Sequence, residues 1–155
     1  MNDTTESIRI TMHETQGCLV VPIQEELSKI AALQIQRSIL EQVHEKNVKG
    51  VIIDLSGVKI IDGVLWEVFS KTAQMVKMLG PPSVITGLSP GVVASIIDSN
   101  LDIDGLTTAM NLEDALEILT QSTEPETDDE NDAENVENND TFEKEPEKGL
   151  DNEET

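Results

Sequence analysis

The clearest pattern in the chain is a short apolar run that leads through a polar loop into an amphipathic segment. Residues 51–55 are almost wholly apolar and rich in β-branched side chains, which is typical of a strand buried on both faces of a parallel sheet. Between residues 64 and 79 the apolar positions recur at intervals of three and four, which predicts a helix. The loop therefore joins the carboxyl end of a buried strand to the amino terminus of a helix, where open α/β sheets bind their ligands.

The start of this helix is expected to favour anions. Its first N–H groups have no partner within the helix, and together they carry roughly half a positive charge. Asp62 stands just before the helix and is well placed as its N-cap residue. We expect the apolar face of the helix to consist of Val64, Leu65, Val68, Phe69, Thr72, Met75, Val76 and Leu79.

The first fifty residues predict a hairpin and a helix. Residues 8–12 alternate between apolar and polar, residues 18–23 form a second apolar strand, and the turn at residues 14–17 indicates that the two pair as a hairpin. Ser28 can cap a helix that ends near residue 46. We expect the inner face of that helix to carry Ile30, Ala32, Leu33, Ile35, Ile39, Leu40 and Val43.

Strands and helices alternate in the second half of the domain. Residues 83–87 predict a strand, and Ser89 opens the next helix ahead of a proline. A short strand at residues 106–109 precedes a helix capped by Asn111. Because such crossovers are right-handed and join parallel strands, we predict an α/β fold. It should contain a mixed, mostly parallel sheet of four to five strands and about four helices.

Composition divides the chain into a domain, residues 1–121, and an acidic tail, residues 122–155. The tail carries 15 Asp or Glu against 2 Lys and holds only four apolar residues. So few apolar groups cannot offset the entropy lost on ordering, so we expect the tail to be disordered. It is either a solubilising, self-repelling extension or an electrostatic decoy that competes for a basic patch on a partner or limits the packing of subunits.

Charge and the lengths of apolar runs exclude several classes of protein. A chain with a net charge of −21 repels the phosphates of nucleic acids. Its start is polar and acidic, unlike a secretory signal, and no apolar run approaches the ~20 residues of a membrane helix. The single cysteine, Cys18, is expected to be a small core side chain rather than a reactive thiol. We therefore expect a cytoplasmic protein with no nucleic-acid or membrane partner.

Several segments share their pattern with a known family. They are Cys18-Leu19-Val20-Val21-Pro22-Ile23, Val51-Ile52-Ile53-Asp54-Leu55-Ser56-Gly57-Val58, Ile60-Ile61-Asp62, Met78-Leu79-Gly80 and Val84-Ile85-Thr86-Gly87-Leu88-Ser89-Pro90. Through them, from about residue 8 to residue 121, the chain resembles a STAS domain, the fold of sulfate-transporter tails and anti-sigma-factor antagonists. Within that family it is most similar to the small antagonist subunit of the bacterial stressosome, the RsbS type.

The resemblance implies regulated binding as the mechanism. Such a domain binds a switch kinase or anti-sigma factor of the ATP-binding kinase family, or other STAS proteins. Phosphorylation of one Ser at the helix start then ejects the partner. On this basis the candidate partner-binding residues are Ser56, Gly57, Lys59, Asp62, Gly63 and Trp66.

The chain departs from the family at the residue after Ile61 and Asp62. The family has a phosphorylatable Ser or Thr there, whereas this chain has Gly63, which carries no hydroxyl. A phosphate would add nearly two negative charges beside Asp62. Its absence predicts a contact surface that is permanently available, in a constitutive binder or in a scaffold regulated elsewhere. Alternatively, Gly63 only meets a local backbone requirement, and the two interpretations are compatible.

Other residues offer candidate regulatory or contact sites. Ser95 lies five residues after Pro90, which matches the second phosphoacceptor of larger co-antagonist STAS domains; alternatively it is an ordinary helix serine. Ser56 is a second candidate phosphoacceptor, or it only closes the strand into a turn. Trp66 falls off the apolar stripe of its helix, which predicts an exposed contact anchor, and the alternative is a core residue.

The sequence gives little support for catalysis. His13 and His44 are isolated, and Asp54 and Asp62 are separated by a turn with no substrate pocket implied. No glycine-rich phosphate-binding loop occurs. We therefore predict a binding protein that is not an enzyme and has no cofactor or metal. Two alternatives stay open. The chain is a scaffold subunit of a stressosome-like assembly, in which it can also form a homo-oligomer, or it is a small-ligand or nucleotide-sensing STAS module.

Overall fold

The computed structural model describes residues 11–24 and 26–122. The strands are β1 (His13–Thr15), β2 (Cys18–Gln24), β3 (Gly50–Gly57), β4 (Ser83–Thr86) and β5 (Thr108–Ala109). The helices are α1 (Lys29–Glu45), α2 (Gly63–Leu79), α3 (Pro90–Asp98) and α4 (Leu112–Gln121). The predicted α/β class, the mixed and mostly parallel sheet and the number of helices are confirmed.

The five strands form one sheet in the order β1-β2-β3-β4-β5. β1 is antiparallel to β2, and the other neighbours are parallel. Gln16 and Gly17 connect β1 to β2 with φ angles of 53° and 80°, the backbone of a two-residue hairpin turn. The predicted hairpin is confirmed, but its first described strand lies later than residues 8–12, because the turn is shorter than expected.

The sheet is covered on both faces, and the two cores differ in size. α1, α2 and α3 contribute to the larger core, which includes Val51, Ile53 and Leu55 of β3. The smaller core lies under α4 and contains Cys18, Val20, Ile52, Val84, Ala115, Leu116 and Leu119. Successive residues of β3 therefore point to opposite faces and are buried on both, as a continuous apolar run predicts. Burial raises the pKa of the Cys18 thiol, and the residue is a core side chain as expected.

All four helices begin where the sequence predicts. The side chains of Ser28, Asp62, Ser89 and Asn111 each accept a hydrogen bond from a backbone N–H of the first turn. Each bond satisfies one of the N–H groups that a helix start leaves unpaired.

The predicted inner faces of α1 and α2 are wrong in part. Ile30 and Leu33 were expected to face inward but are 71% and 42% exposed, and on α2 Val64 and Leu79 are 46% and 50% exposed. The two helices contact each other, and both contribute to the core that they share with the sheet. The buried sector therefore depends on both neighbours and does not coincide with the densest apolar stripe.

β3 is longer than its apolar run. Ser56 and Gly57 were expected to form a turn, but both belong to the strand. Gln24 of β2 pairs with Gly57 after a register irregularity, and this pairing keeps the backbone extended past the apolar residues.

Two predictions concern residues that the structure does not describe. Most of the strand predicted at residues 8–12 falls within residues 1–10, and the predicted disordered tail falls within residues 123–155. The domain division near residue 121 therefore stays a prediction.

Two fully buried threonines generate a test of how the core accommodates hydroxyl groups. The Thr86 hydroxyl has no hydrogen-bond partner among the described residues. The Thr72 hydroxyl donates to the Val68 carbonyl at 2.6 Å and accepts from Gln36 Nε2 at 3.0 Å. We expect Thr86→Val to raise the free energy of unfolding by about 1 kcal/mol, because it removes an unpaired buried hydroxyl, and Thr72→Val to lower it by about 1–2 kcal/mol.

Urea denaturation measures both changes. Both variants replace threonine by isosteric valine, so they differ in whether the lost hydroxyl made hydrogen bonds. A Thr86→Val variant that loses as much stability as Thr72→Val would contradict the expectation.

Candidate functional site

The candidate site forms where the loops after two neighbouring parallel strands meet. One loop, residues 58–62, joins β3 to α2, and the other joins β4 to α3. Because β3 and β4 are parallel, both loops leave the same edge of the sheet. The Ser89 hydroxyl lies 3.2 Å from the carbonyl oxygens of Val58 and Lys59, to which it donates. It also accepts the N–H of Val92 at 3.3 Å, so one side chain both caps α3 and anchors the first loop.

Two glycines allow the backbones around these loops to approach closely. Gly87 has a φ of +74°, and a Cβ there would lie 2.5 Å from Ser56 N. A Cβ at Gly91 would collide with the carbonyl oxygen of Lys59. The Ser56 N–H donates to Asp54 Oδ1 at 2.9 Å. The Asp54 carboxylate therefore positions the end of β3.

Asp62 and Gly63 form the start of α2. Asp62 Oδ1 accepts the N–H of Leu65 at 2.8 Å, which confirms its predicted N-cap role. Gly63 is the first helical residue, and its φ does not lie in the left-handed region. A Cβ there would meet one atom within 4 Å, Leu101 Cδ2 at 3.2 Å. A special backbone conformation therefore does not account for the glycine, and the only steric restriction comes from the end of a flexible side chain.

Five of the six candidate partner-binding residues follow one another along a single stretch of the surface. Ser56, Gly57, Lys59 and Asp62 are exposed, and Gly63 is half-buried. Sequence reasoning missed two apolar residues on the same stretch: Ile60 is 71% exposed and Val64 is 46% exposed. Val64 had been assigned to the inner face of α2, and only the orientation of the folded helix reveals its exposure.

The sixth residue, Trp66, was predicted to be an exposed contact anchor, and this prediction is wrong. Its side chain is 2% exposed, and its indole N–H donates to the Asp102 carbonyl at 2.8 Å. The segment after α3 lies against this side of α2, so the helix is buried more widely than its apolar stripe suggests. The spacing of Trp66, Phe69 and Ala73, all buried, is the helical signal that could have placed the tryptophan in the core.

A cavity of about 320 Å³ lies beside the start of α2. It is lined by Gly63, Trp66, Glu67, Ser70, Lys71, Gln74, Asn100, Leu101 and Asp102. Lys71 Nζ donates to Glu67 Oε1 at 2.6 Å, and this bond lowers the pKa of the Glu67 carboxyl. Lys71 and Glu67 therefore satisfy each other. The third charged side chain at the cavity is Asp102, whose Oδ1 accepts the N–H of Asp104 at 2.9 Å. Among the lining residues, no positive charge is left unpaired for an anionic ligand.

The two candidate phosphoacceptors lie in different environments. Ser56 is exposed at the end of β3. Ser95 is half-buried on α3, and its hydroxyl donates to the Gly91 carbonyl at 2.8 Å, a common arrangement for a serine within a helix. Phosphorylation of either residue stays a prediction.

The described residues supply few elements of catalytic chemistry. His13 lies in β1 and His44 in the last turn of α1. Within residues 11–24 and 26–122, no three His, Cys, Asp or Glu side chains are grouped so that they could hold a metal ion. None of the described helices is both long enough and apolar enough to cross a membrane.

Comparison with known sequences identifies similar proteins. The family model of the STAS domain matches residues 9–115. The RsbT co-antagonist protein RsbRD of Bacillus subtilis (strain 168) is 28% identical over 102 residues, which are 66% of this chain and 37% of RsbRD. The chain thus spans little more than a third of the length of that relative.

Solved structures extend the comparison. A serine-to-glutamate variant of RsbS from Moorella thermoacetica is 28% identical, with a TM-score of 0.65 over 74% of this chain and 97% of that one. A chain from the structure of the stressosome, described as a signal integration and transduction hub, is 28% identical, with a TM-score of 0.63 over 72% of this chain and 96% of that one. The fold is also shared with the anti-sigma factor antagonist SpoIIAA.

The close contact at Gly87 generates a stability prediction with a matched control. Gly105 has nearly the same φ, +72°, but a Cβ there would meet nothing within 4 Å. Gly105→Ala should therefore cost only the strain of an L-residue at positive φ, about 1 kcal/mol. Gly87→Ala should cost at least about 2 kcal/mol more, because its Cβ would also collide with Ser56 N and Asp54 Oδ1.

Chemical denaturation of the two variants measures the difference. Equal losses of stability in Gly87→Ala and Gly105→Ala would show that the two loops do not depend on this close approach.

Proposed function

The chain belongs to the STAS domain family, and on that basis we propose that it is a regulatory protein of the anti-sigma-factor-antagonist type. It binds a switch kinase or anti-sigma factor of the ATP-binding kinase family through the loop and helix start around Asp62 and Gly63. One observation carries the proposal. Ile60 and Val64 are 71% and 46% exposed on either side of Asp62, so two apolar side chains stand in solvent at the edge where α/β sheets bind.

The relatives support binding as the activity. RsbRD is named as a co-antagonist of RsbT, and this chain matches the STAS family model over residues 9–115. The chain is related to stressosome proteins of the RsbR and RsbS kind. In this proposal it acts in the cytoplasm by contact with its partner or with other STAS proteins, without catalysis and without a cofactor.

The proposal makes Gly63 the reason that binding is constitutive. A phosphate on the first residue of α2 would follow Asp62 directly in the chain and would stand three residues after exposed Ile60. Burying that charge in an apolar contact would cost both desolvation and repulsion. Glycine offers no oxygen for phosphoryl transfer, so the surface cannot be closed at this residue.

A charge placed at Gly63 provides the test. Gly63→Asp should lower the affinity for the partner more than tenfold, whereas the isosteric and neutral Gly63→Asn should retain most of it. Both variants share the contact of a new Cβ with Leu101, and a helix start tolerates either residue. Binding is measured by calorimetry with RsbT of Bacillus subtilis and with the switch kinases of the same family from the organism that makes this chain.

Ile60→Asp supplies a second variant, which should weaken binding through the loop without touching α2. Absence of binding to every kinase of the panel would overturn the proposal, as would a Gly63→Asp variant that binds like the parent chain.

A scaffold subunit of a stressosome-like assembly is the second candidate, and it is favoured by the match to a chain of the solved stressosome. In that case, size-exclusion chromatography with light scattering should show a large particle, either for the chain alone or after mixing with a STAS partner of the RsbR kind. A mass equal to one chain in both samples at all concentrations would exclude this role.

A further inference from the structure

An apolar groove runs between α1 and α2, away from the loop that follows β3. Its volume is about 670 Å³, and it is lined by Leu33, Gln36, Arg37, Leu40, Glu41, His44, Met75, Met78 and Leu79. From Leu33 to His44 it follows α1 for roughly 16 Å, about three helical turns. We call this surface the α1–α2 groove.

The α1–α2 groove leaves large apolar side chains exposed to solvent, which does not stabilise an isolated domain. Met78 is 87% exposed, Leu79 50% and Leu33 42%, and all three belong to one continuous surface. Contiguous apolar patches of this kind mark contact sites more often than scattered exposed residues do. Methionine is unbranched and polarisable, so Met75 and Met78 can adapt to the side chains of a partner.

The charge around the groove differs from that of the remaining described surface. α1 and α2 together carry four Lys or Arg and three Glu, whereas the other described residues carry three Lys or Arg and ten Asp or Glu. Arg37 lines the groove, and its guanidinium makes no hydrogen bond or ion pair with the described residues, among which Lys71 and Glu67 form the sole ion pair. A guanidinium of this kind is free to bind a carboxylate in bidentate geometry.

We propose that the α1–α2 groove binds an amphipathic helix of a partner protein, whose apolar stripe fills the groove and whose acidic side chain pairs with Arg37. The shape suits a helix. α1 and α2 both cross from the carboxyl end of one parallel strand to the start of the next, so they run side by side in the same direction. A third helix packs into such a groove with apolar residues at intervals of three and four.

Charge argues for this occupant over a second copy of the chain. In a symmetric contact the same surface serves both subunits, so two chains that each carry a net charge of −21 would have to associate against their mutual repulsion. A helix with a single acidic side chain carries far less charge, so it meets much less of that repulsion. At physiological salt, screening beyond about 8 Å weakens it further.

Glu41 restricts the positions at which the partner helix can carry acidic side chains. It lies one turn after Arg37 and also lines the groove, so a second carboxylate at its level would be repelled. The groove therefore selects a single acidic position rather than a generally acidic surface.

This site is separate from the loop of the proposed function. Met75 lies twelve residues after Gly63 on α2, a distance of roughly 18 Å along the helix. Binding at the α1–α2 groove therefore does not depend on whether a kinase binds around Gly63, and the two can be tested independently.

The probe is a fluorescein-labelled synthetic peptide of 18 residues. It is helical by design, with leucines at intervals of three and four and one glutamate beside the stripe, and its matched partner carries lysine at that position. Fluorescence anisotropy with the full chain should show binding of the glutamate peptide, and weaker binding of the lysine peptide by about tenfold. Arg37→Gln should remove that preference, and Glu41→Gln should strengthen binding of the glutamate peptide.

Met78→Glu should abolish binding, whereas Met110→Glu is the control, because Met110 is similarly exposed, at 83%, but lies outside the groove. Gly63→Asp should leave the peptide affinity unchanged. The proposal is overturned if neither peptide binds, if the lysine peptide binds equally well, or if Met78→Glu has no effect. It is also overturned if light scattering shows a dimer of the parent chain that Met78→Glu dissociates, since a second copy then occupies the groove.

Discussion

The close contact between the loops after β3 and β4 is the constraint on which the candidate site depends. Ser89 holds the backbone of the first loop through its hydroxyl, and Gly87 and Gly91 remove the side chains that would otherwise keep the backbones apart. These contacts replace the ladder hydrogen bonds that end with the strands. They fix the direction in which the loop enters α2, and therefore the positions of Ile60 and Asp62 on the surface.

The sheet makes this arrangement stable without contribution from the site itself. β3 is buried on both faces, by the larger core on one side and by α4 on the other. Its last residues, Ser56 and Gly57, continue in extended form beyond that protection and are exposed. The site thus begins where β3 leaves the core. Substitutions there should have little effect on the core, and an exposed apolar residue such as Ile60 is available to contact a partner.

The sequence was informative where structure depends on neighbours in the chain. Ser28, Asp62, Ser89 and Asn111 were identified as caps because a cap is a local hydrogen bond between a side chain and a backbone N–H three residues later. Trp66, Ile30 and Leu33 were misplaced because their exposure depends on segments distant in sequence. Asp102, for example, accepts the Trp66 indole N–H across 36 residues, and no local pattern contains that information. The exposed pair Ile60 and Val64 was missed for the same reason, and so was the groove between α1 and α2.

The two proposed contact surfaces differ in how they would respond to a negative charge on a partner or on a variant. At the start of α2 the positive end of the helix is already occupied by the Asp62 carboxylate, so an added negative charge would gain little from the fold and would oppose an apolar partner. In the α1–α2 groove the same charge would meet Arg37, which has no partner among the described residues. If both proposals hold, a carboxylate therefore weakens the contact at one end of α2 and strengthens the contact at the other. Because the two surfaces lie more than a Debye length apart at physiological salt, one chain can exclude anions at one surface while it binds them at the other.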